Sequence, residues 1–438
     1  MATFKLESFS PGVIGSTAAN LFQKKLLNAV VAAPAHSVID CTSYSGDITL
    51  TSTIQIKKPL TLLFGNVRLI LSVGQSKHMF HILSPNVSII GADRSTSSAS
   101  LNAGTIFKMG VSGGGYHVYA ANVANTGTTS ASGLTLENID FEGLKSIYTS
   151  VSNAVNYTYS GAGGILISEG NPGREGSSIN NVSLKNIHVF NVKQHGILMY
   201  GAVASRLEKC RVTNVSGHGF YITGLSNSVH IDTCHASSTD LAGFCVDDST
   251  HCSLTTCVAE NCSLGYWLRK AKAITLNSCG ADSSVVSNAT LPYNLGISLL
   301  NSDSSTVIDD IGADNTGFFK GTNFMITFGE ANSLISCHSK DPGNRPGMGT
   351  YAHRLTSHFT IAGDSKNNRI AAPFITGTST VKYEFRLFDI NEYLPFFNFL
   401  DYYVWSNQTS APEPDDPSMA SSQTLYNQSN SYLITFYD

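Results

Sequence analysis

Two adjacent acids, Asp247 and Asp248, are followed 22 residues later by two adjacent bases, Arg269 and Lys270. If positions 22 residues apart lie side by side, these four residues set carboxylate beside cation twice over. Such a set supports two kinds of chemistry. A cation that neutralises a carboxylate on a ligand acidifies the neighbouring C–H, so that a base can remove its proton. Arg269 and Lys270 could supply the charge, and Tyr221, Lys270 or His218 the base. Alternatively, two carboxylates flanking a glycosidic bond can hydrolyse it or transfer the sugar, one as acid and the other as base or nucleophile. Asp247 and Asp248 could also hold Ca2+ between protein and an acidic ligand. Trp267, one of only two tryptophans, stands two residues before Arg269 and offers a ring face on which a sugar can stack.

A repeat makes the spacing meaningful. Glycines flanked by apolar residues recur at Gly196, Gly219, Gly243 and Gly265, at intervals of 23, 24 and 22. Cys210, Cys234, Cys257 and Cys279 keep step at 24, 23 and 22. Two markers with one drifting period imply a solenoid with coils stacked in register. Stacked cysteines imply an interior thiol ladder in preference to a disulfide framework. Asn138 and Asn186 are expected to hold the cysteine position in earlier coils.

Strand alternation sorts the side chains. One and three residues after the repeat glycines the chain is uniformly apolar (Ile197/Met199, Phe220/Ile222, Phe244/Val246, Tyr266/Leu268), which points these residues inward. The intervening positions then point outward: Tyr200, Tyr221, Asp247, Trp267 and Arg269 are expected on one solvent-facing strip with coils ~4.8 Å apart. Glu169, Asp248 and Lys270 follow where strands yield to turns, and His195 and His218 precede repeat glycines. Trp267, Tyr200, His195 and Glu169 are candidate sugar-binding residues. Arg345 and Arg354, in the basic loop 341–354, could wall the same groove.

Charged residues make up 13% of the chain and the net charge is −4, which leaves no basic footprint for nucleic acid. No apolar run is long enough to span a bilayer, and no signal peptide is visible at the start. No His/Cys cluster has convincing zinc spacing. The first 35 residues are expected to cap the solenoid, with Leu21, Leu26, Leu27, Val30 and Val31 giving helical spacing over 20–33. Coils are expected over 36–378, with loop insertions at 92–132 and 341–354. The aromatic-dense tail, 379–438, is expected to pack on the solenoid or on a partner subunit of a homo-oligomer.

Coils of 22–24 residues, the Gly-apolar repeat, the Asn/Cys column and the N-terminal helix resemble the pectin/pectate-lyase-like superfamily over roughly residues 36–375. The resemblance implies an all-β, right-handed parallel β-helix. Galacturonan hydrolases of that superfamily carry Asn-Thr-Asp, Gly-His-Gly and Arg-Ile-Lys in a fixed order. Here Gly217-His218-Gly219 precedes the Asp pair, and the other two motifs are absent. The expectation is therefore a carbohydrate-active enzyme, a β-eliminating lyase on a uronate-containing glycan ahead of a hydrolase or intramolecular transferase. A non-catalytic glycan-binding or viral tailspike protein is the contrasting class. An extracellular or virion-associated setting goes with either.

Overall fold

The computed structural model describes residues 2–10, 21–72, 78–92, 104–110, 115–121, 131–144, 163–168, 179–262, 264–282, 322–327, 329–340, 357–362, 367–376, 383–388, 398–400 and 432–434. They fall into two compact units, Met1–Ser216 and Gly217–Asp438. Each is a parallel β-helix whose coil has three strand walls.

In the first unit one wall stacks Ser37–Cys41, Leu60–Phe64, Ser88–Ile90, Thr135–Glu142 and Ser183–Phe190, all parallel. A second stacks Gly46–Leu50, Val67–Leu71, Thr105–Met109 and the latter halves of Thr135–Glu142 and Ser183–Phe190, which bend from the first wall into this one. The third stacks Ile54–Ile56, Phe80–Ile82, Tyr116–Ala121, Gly163–Ser168 and Ile197–Tyr200. The expected insertion 92–132 thus contains two coil strands, Thr105–Met109 and Tyr116–Ala121. Glycines around them hid the alternation of Phe107, Met109, Val118 and Ala120, all of which are buried. The helix Leu21–Ala32 forms as its spacing predicts. Its buried stripe is Phe22, Leu26, Ala29 and Val30, however, while Leu21 and Val31 are exposed. Gln23 sits within that stripe because its Oε1 accepts from the Thr51 amide at 2.7 Å, tying the helix to the first coils.

In the second unit the wall that carries the candidate residues stacks Phe220–Thr223, Ala242–Asp247, Leu264–Arg269, Thr322–Thr327 and Ser357–Ala362. The other walls start from Asn227–Asp232 and His235–Thr239 and pair in parallel coil by coil. Three stretches of the tail, Tyr383–Phe388, Asn398–Leu400 and Tyr432–Ile434, are strands that extend these ladders.

The inward positions behave as the alternation requires. Phe220, Phe244, Tyr266, Phe324 and Phe359 form a continuous stack with centroids 4.7, 5.0, 4.8 and 4.9 Å apart and rings within 11° of parallel. The spacing is one coil rise, so every ring meets its neighbour without strain. Phe244 is held on both faces, and Phe244→Ala should cost about 3–5 kcal/mol of stability. An unfolding free energy from denaturant titration within about 1 kcal/mol of wild type would contradict that stack as a core element.

All nine cysteines are free and buried. Cys257, Cys279 and Cys337 donate from Sγ to carbonyls of the preceding coil, those of Ile231, Leu254 and Leu276, at 3.5, 3.4 and 3.8 Å. The expected Asn–Cys column needs one correction. Lys185 pairs with Glu208 and His188 with Arg211, so Asn186 aligns with Lys209, and Cys210 aligns with Ile187. Asn138, Asn186 and Lys209 share left-handed backbone, with φ of 59°, 51° and 53°. The asparagines belong to a turn column beside the thiols, because Asn tolerates that conformation better than most residues.

The repeat glycines have a steric cause. A Cβ at Gly219 would lie 2.6 Å from the Gly243 carbonyl oxygen, and one at Gly265 would lie 2.4 Å from that of Asn323.

His78, His117, His195 and His358 are buried and held neutral. Desolvation pushes His117 and His195 in the first unit down to about 4, and His78 and His358 to about 3. In His117 the Glu142 and Gly163 carbonyls pull partly the other way. Below pH ~6.5 the unfolded chain binds protons that the folded chain refuses. Stability is therefore fully present above that pH and is lost as pH falls towards 4. Urea midpoints at pH 7, 5.5 and 4 should fall progressively; a flat profile would contradict neutral burial.

Candidate functional site

Phe220–Thr223, Ala242–Asp247 and Leu264–Arg269 lie side by side, pairing Asp247 with Arg269 and Cys245 with Trp267. Since Phe220, Phe244 and Tyr266 stack inside, the pleat sends Tyr221, Cys245 and Trp267 to the opposite face, with Asp247 and Arg269 two residues along. The predicted direction is therefore found, and the residues do converge. Arg269 Nη1 lies 3.1 Å from Asp247 Oδ2. The Tyr221 hydroxyl donates to the same oxygen at 3.3 Å. The His218 ring sits 4.6 Å from the Tyr221 ring and 6.1 Å from the Trp267 ring, centroid to centroid.

The predicted exposure is wrong. Tyr221 is 0%, Asp247 1%, Arg269 2% and Trp267 5% exposed. This face is covered, and Asp247–Arg269 is a buried ion pair, not a solvated one. The signal was available: Leu166, Leu198, Cys245 and Trp267, all on outward positions, are apolar, as expected of parallel strands buried on both faces. Alternation tells which face a side chain takes and says nothing about whether that face is wet.

Burial sets the electrostatics. Desolvation raises the Asp247 carboxyl to about 6; Arg269 opposes the shift, Asp248 adds to it, and the Tyr221 hydrogen bond opposes it. Three polar groups in this row have no hydrogen-bond partner: Asp247 Oδ1, Arg269 Nε and Thr223 Oγ1. Buried polar groups are normally satisfied, so three such atoms in neighbouring coils mark a place shaped for something polar. Thr223 was not among the predicted site residues, since a threonine at a strand end carries no signal of its own.

His218 accepts at Nδ1 from the Ala242 amide, at 3.1 Å. The neutral ring therefore carries its proton on Nε2 and offers a donor, which weighs against it as the base. Asp248 and Lys270 terminate their strands in left-handed conformation, φ 43° and 48°. Asp248 is half-buried and Lys270 exposed, so Lys270 stands outside the buried cluster. Tyr200 is half-buried and His195 buried in the first unit. Glu169, Arg345 and Arg354 lie outside the described residues.

Among the described residues no group of three or more His, Cys, Asp or Glu is placed to hold a metal ion. Asp247 Oδ2 is already engaged by Arg269 and Tyr221. A Ca2+ ion at Asp247 and Asp248 would draw most of its six to eight oxygens from ligand and water. Among the described residues no helix is long and apolar enough to cross a membrane.

Comparison with known proteins agrees with the architecture. The family described as right handed beta helix region matches residues 112–311. No curated protein sequence matches the chain. The A-module of mannuronan C-5 epimerase AlgE4 from Azotobacter vinelandii superposes with a TM-score of 0.58 at 10% identity, over 90% of this chain and 93% of that one. DFA-IIIase from Arthrobacter chlorophenolicus A6 gives 0.45 at 8% identity, over 99% and 98%. The Dettilon tailspike protein gives 0.43 at 8% identity, over 86% and 68%. The chain is a right-handed parallel β-helix.

Proposed function

We propose that this protein is a carbohydrate-active enzyme that cleaves a uronate-containing glycan by β-elimination at the Tyr221–Asp247–Arg269 cluster. The observation that carries the reading is Asp247 itself. One carboxylate oxygen is fixed by a guanidinium and a phenol, while the other is a buried acceptor without a partner. That is the state of a base awaiting a proton.

The steps balance. Arg269 faces the uronate carboxylate through its unpartnered Nε–H and stabilises charge that develops there when C5 loses its proton. Asp247 Oδ1 takes that proton, the C5–H electron pair forms the C4–C5 double bond, and the C4–O bond breaks. Tyr221 gives its proton to the departing oxygen and regains one from Asp247, which restores both groups. His218 Nε2–H is a second donor beside Tyr221. Trp267 gives the ring an apolar face. Arg269 supplies the positive charge that Ca2+ would otherwise bring. Because the cluster is closed to water, substrate reaches it only when this face opens, and closure then strengthens each electrostatic contact.

A hydrolase or transferase would need a second carboxylate about 5–9.5 Å from the first. The adjacent Asp248 is the candidate, but it ends the strand in a turn conformation. An extracellular or virion-associated place of action goes with such a substrate. Product analysis tests the proposal: purified protein on a panel of acidic and neutral glycans should release chains with unsaturated uronate ends. Reducing ends without unsaturation would replace the lyase by a hydrolase, and binding without products would leave a glycan-binding protein.

A further inference from the structure

The first unit carries a cleft of about 200 Å³ whose lining includes Asn138, Asp140, Asn186, His188, Lys209 and Arg211. Its volume equals roughly six or seven liquid waters. Three successive coils build it from the same three-residue unit: Asn138-Ile139-Asp140, Asn186-Ile187-His188 and Lys209-Cys210-Arg211. The first residue of each turns the chain with φ of 59°, 51° and 53°. The middle one is buried in the core. The third falls in one register column, Asp140 with His188 and His188 with Arg211. Parallel coils rise ~4.8 Å each, so the acidic and basic ends of this column stand about 10 Å apart.

The middle of the cleft is held in place. Asn186 Nδ2 donates to Asn138 Oδ1 at 2.7 Å. The His188 ring stacks on Phe190 with centroids 4.7 Å apart and lies 3.3 Å from Thr213 Oγ1 through Nε2. Asp140 is 5% exposed, a carboxylate set into the floor, whereas Lys209 and Arg211 are exposed at the other end.

We propose that this cleft binds a carboxylate-bearing sugar residue, as a glycan-holding site separate from the chemistry at Asp247. Lys209 and Arg211 meet the carboxylate, the two amides exchange hydrogen bonds with ring hydroxyls, and Asp140 accepts from a hydroxyl at the far end. A compact anion such as phosphate meets the cations but also Asp140, with nothing to donate to it. Lys209 Nζ already lies 3.8 Å from Glu208 Oε1, and a neutral sugar leaves Arg211 with no anion to meet. A uronate, anionic at one end and hydroxylated at the other, matches the whole column.

Titration calorimetry of Asp247→Asn protein with trigalacturonate and trimannuronate, with cellotriose as the neutral probe, tests the assignment. The Asp247→Asn background slows turnover so that binding can be read. An acidic trisaccharide should bind, and adding Lys209→Gln and Arg211→Gln, both at exposed positions, should weaken one class of site about tenfold or more. Arg211→Lys alone should restore part of the affinity. If the Asp247 cluster also holds uronate, the substitutions reduce two classes of site to one. If the lyase proposal fails and this one holds, they remove all binding. Unchanged affinity and stoichiometry in the substituted protein, cellotriose binding as tightly as the acidic probes, or no binding of either acidic probe would overturn the assignment.

Discussion

Asp247→Asn is expected to lower kcat/KM on a uronate glycan by about 10²–10⁴-fold, the usual contribution of a positioned general base. The amide fits the same space and can still accept from Arg269 and Tyr221, but it cannot take a proton. Wild-type kcat/KM should fall on the acid side with an apparent pKa near 6, where Asp247 becomes protonated, and the residual activity of the Asn variant should lack that limb. Stability runs the other way. The folded carboxyl, at about 6, lies above its ordinary 3.8. Its contribution is fully present below pH ~3.8 and is lost as pH rises through 6. Activity and stability at this residue therefore oppose each other, as expected where burial has tuned a group for chemistry. An Asn variant with wild-type turnover, or one that keeps the acid limb, would remove Asp247 from the mechanism.

Arg269→Leu should destabilise the fold by about 3–5 kcal/mol near neutral pH, because it leaves the Asp247 carboxylate buried without its cation. The loss should shrink as pH drops and Asp247 protonates. Asp247→Leu combined with Arg269→Leu should recover most of the stability, since a well-packed apolar pair of similar volume often equals a buried ion pair. Denaturant titration of the two single variants and the double variant at pH 5 and 8 gives the coupling directly. Additive single losses at both pH values would mean that the two groups do not interact in solution, whatever their 3.1 Å separation.

The architecture was legible because its cause is repetitive. Each coil must present the same small or apolar residue at the same contact, so Gly219, Gly243 and Gly265, the stacked Phe220–Phe244–Tyr266 rings and the Cys234–Cys257–Cys279 thiols all appear as period. Convergence of Tyr221, Asp247 and Arg269 was legible for the same reason, since a lattice of known spacing turns sequence offsets into neighbours. Burial was not, because it depends on what lies over the sheet. The shift of the Asn column against the thiols was missed for a different reason. Asn186 and Cys210 share the drifting period, and only the strand pairing of Lys185 with Glu208 and of His188 with Arg211 places Asn186 beside Lys209 instead. The cleft at Asp140, His188 and Arg211 escaped notice because each residue is unremarkable alone, and only the register puts them in one column.

The most direct test is a crystal structure of the Asp247→Asn protein with an oligouronate bound. The proposed chemistry predicts a uronate carboxylate within hydrogen-bond distance of Arg269 Nε, with C5 facing residue 247 and the glycosidic oxygen near the Tyr221 hydroxyl. A glycan bound only elsewhere, with Thr223, residue 247 and Arg269 still enclosed and untouched, would contradict it.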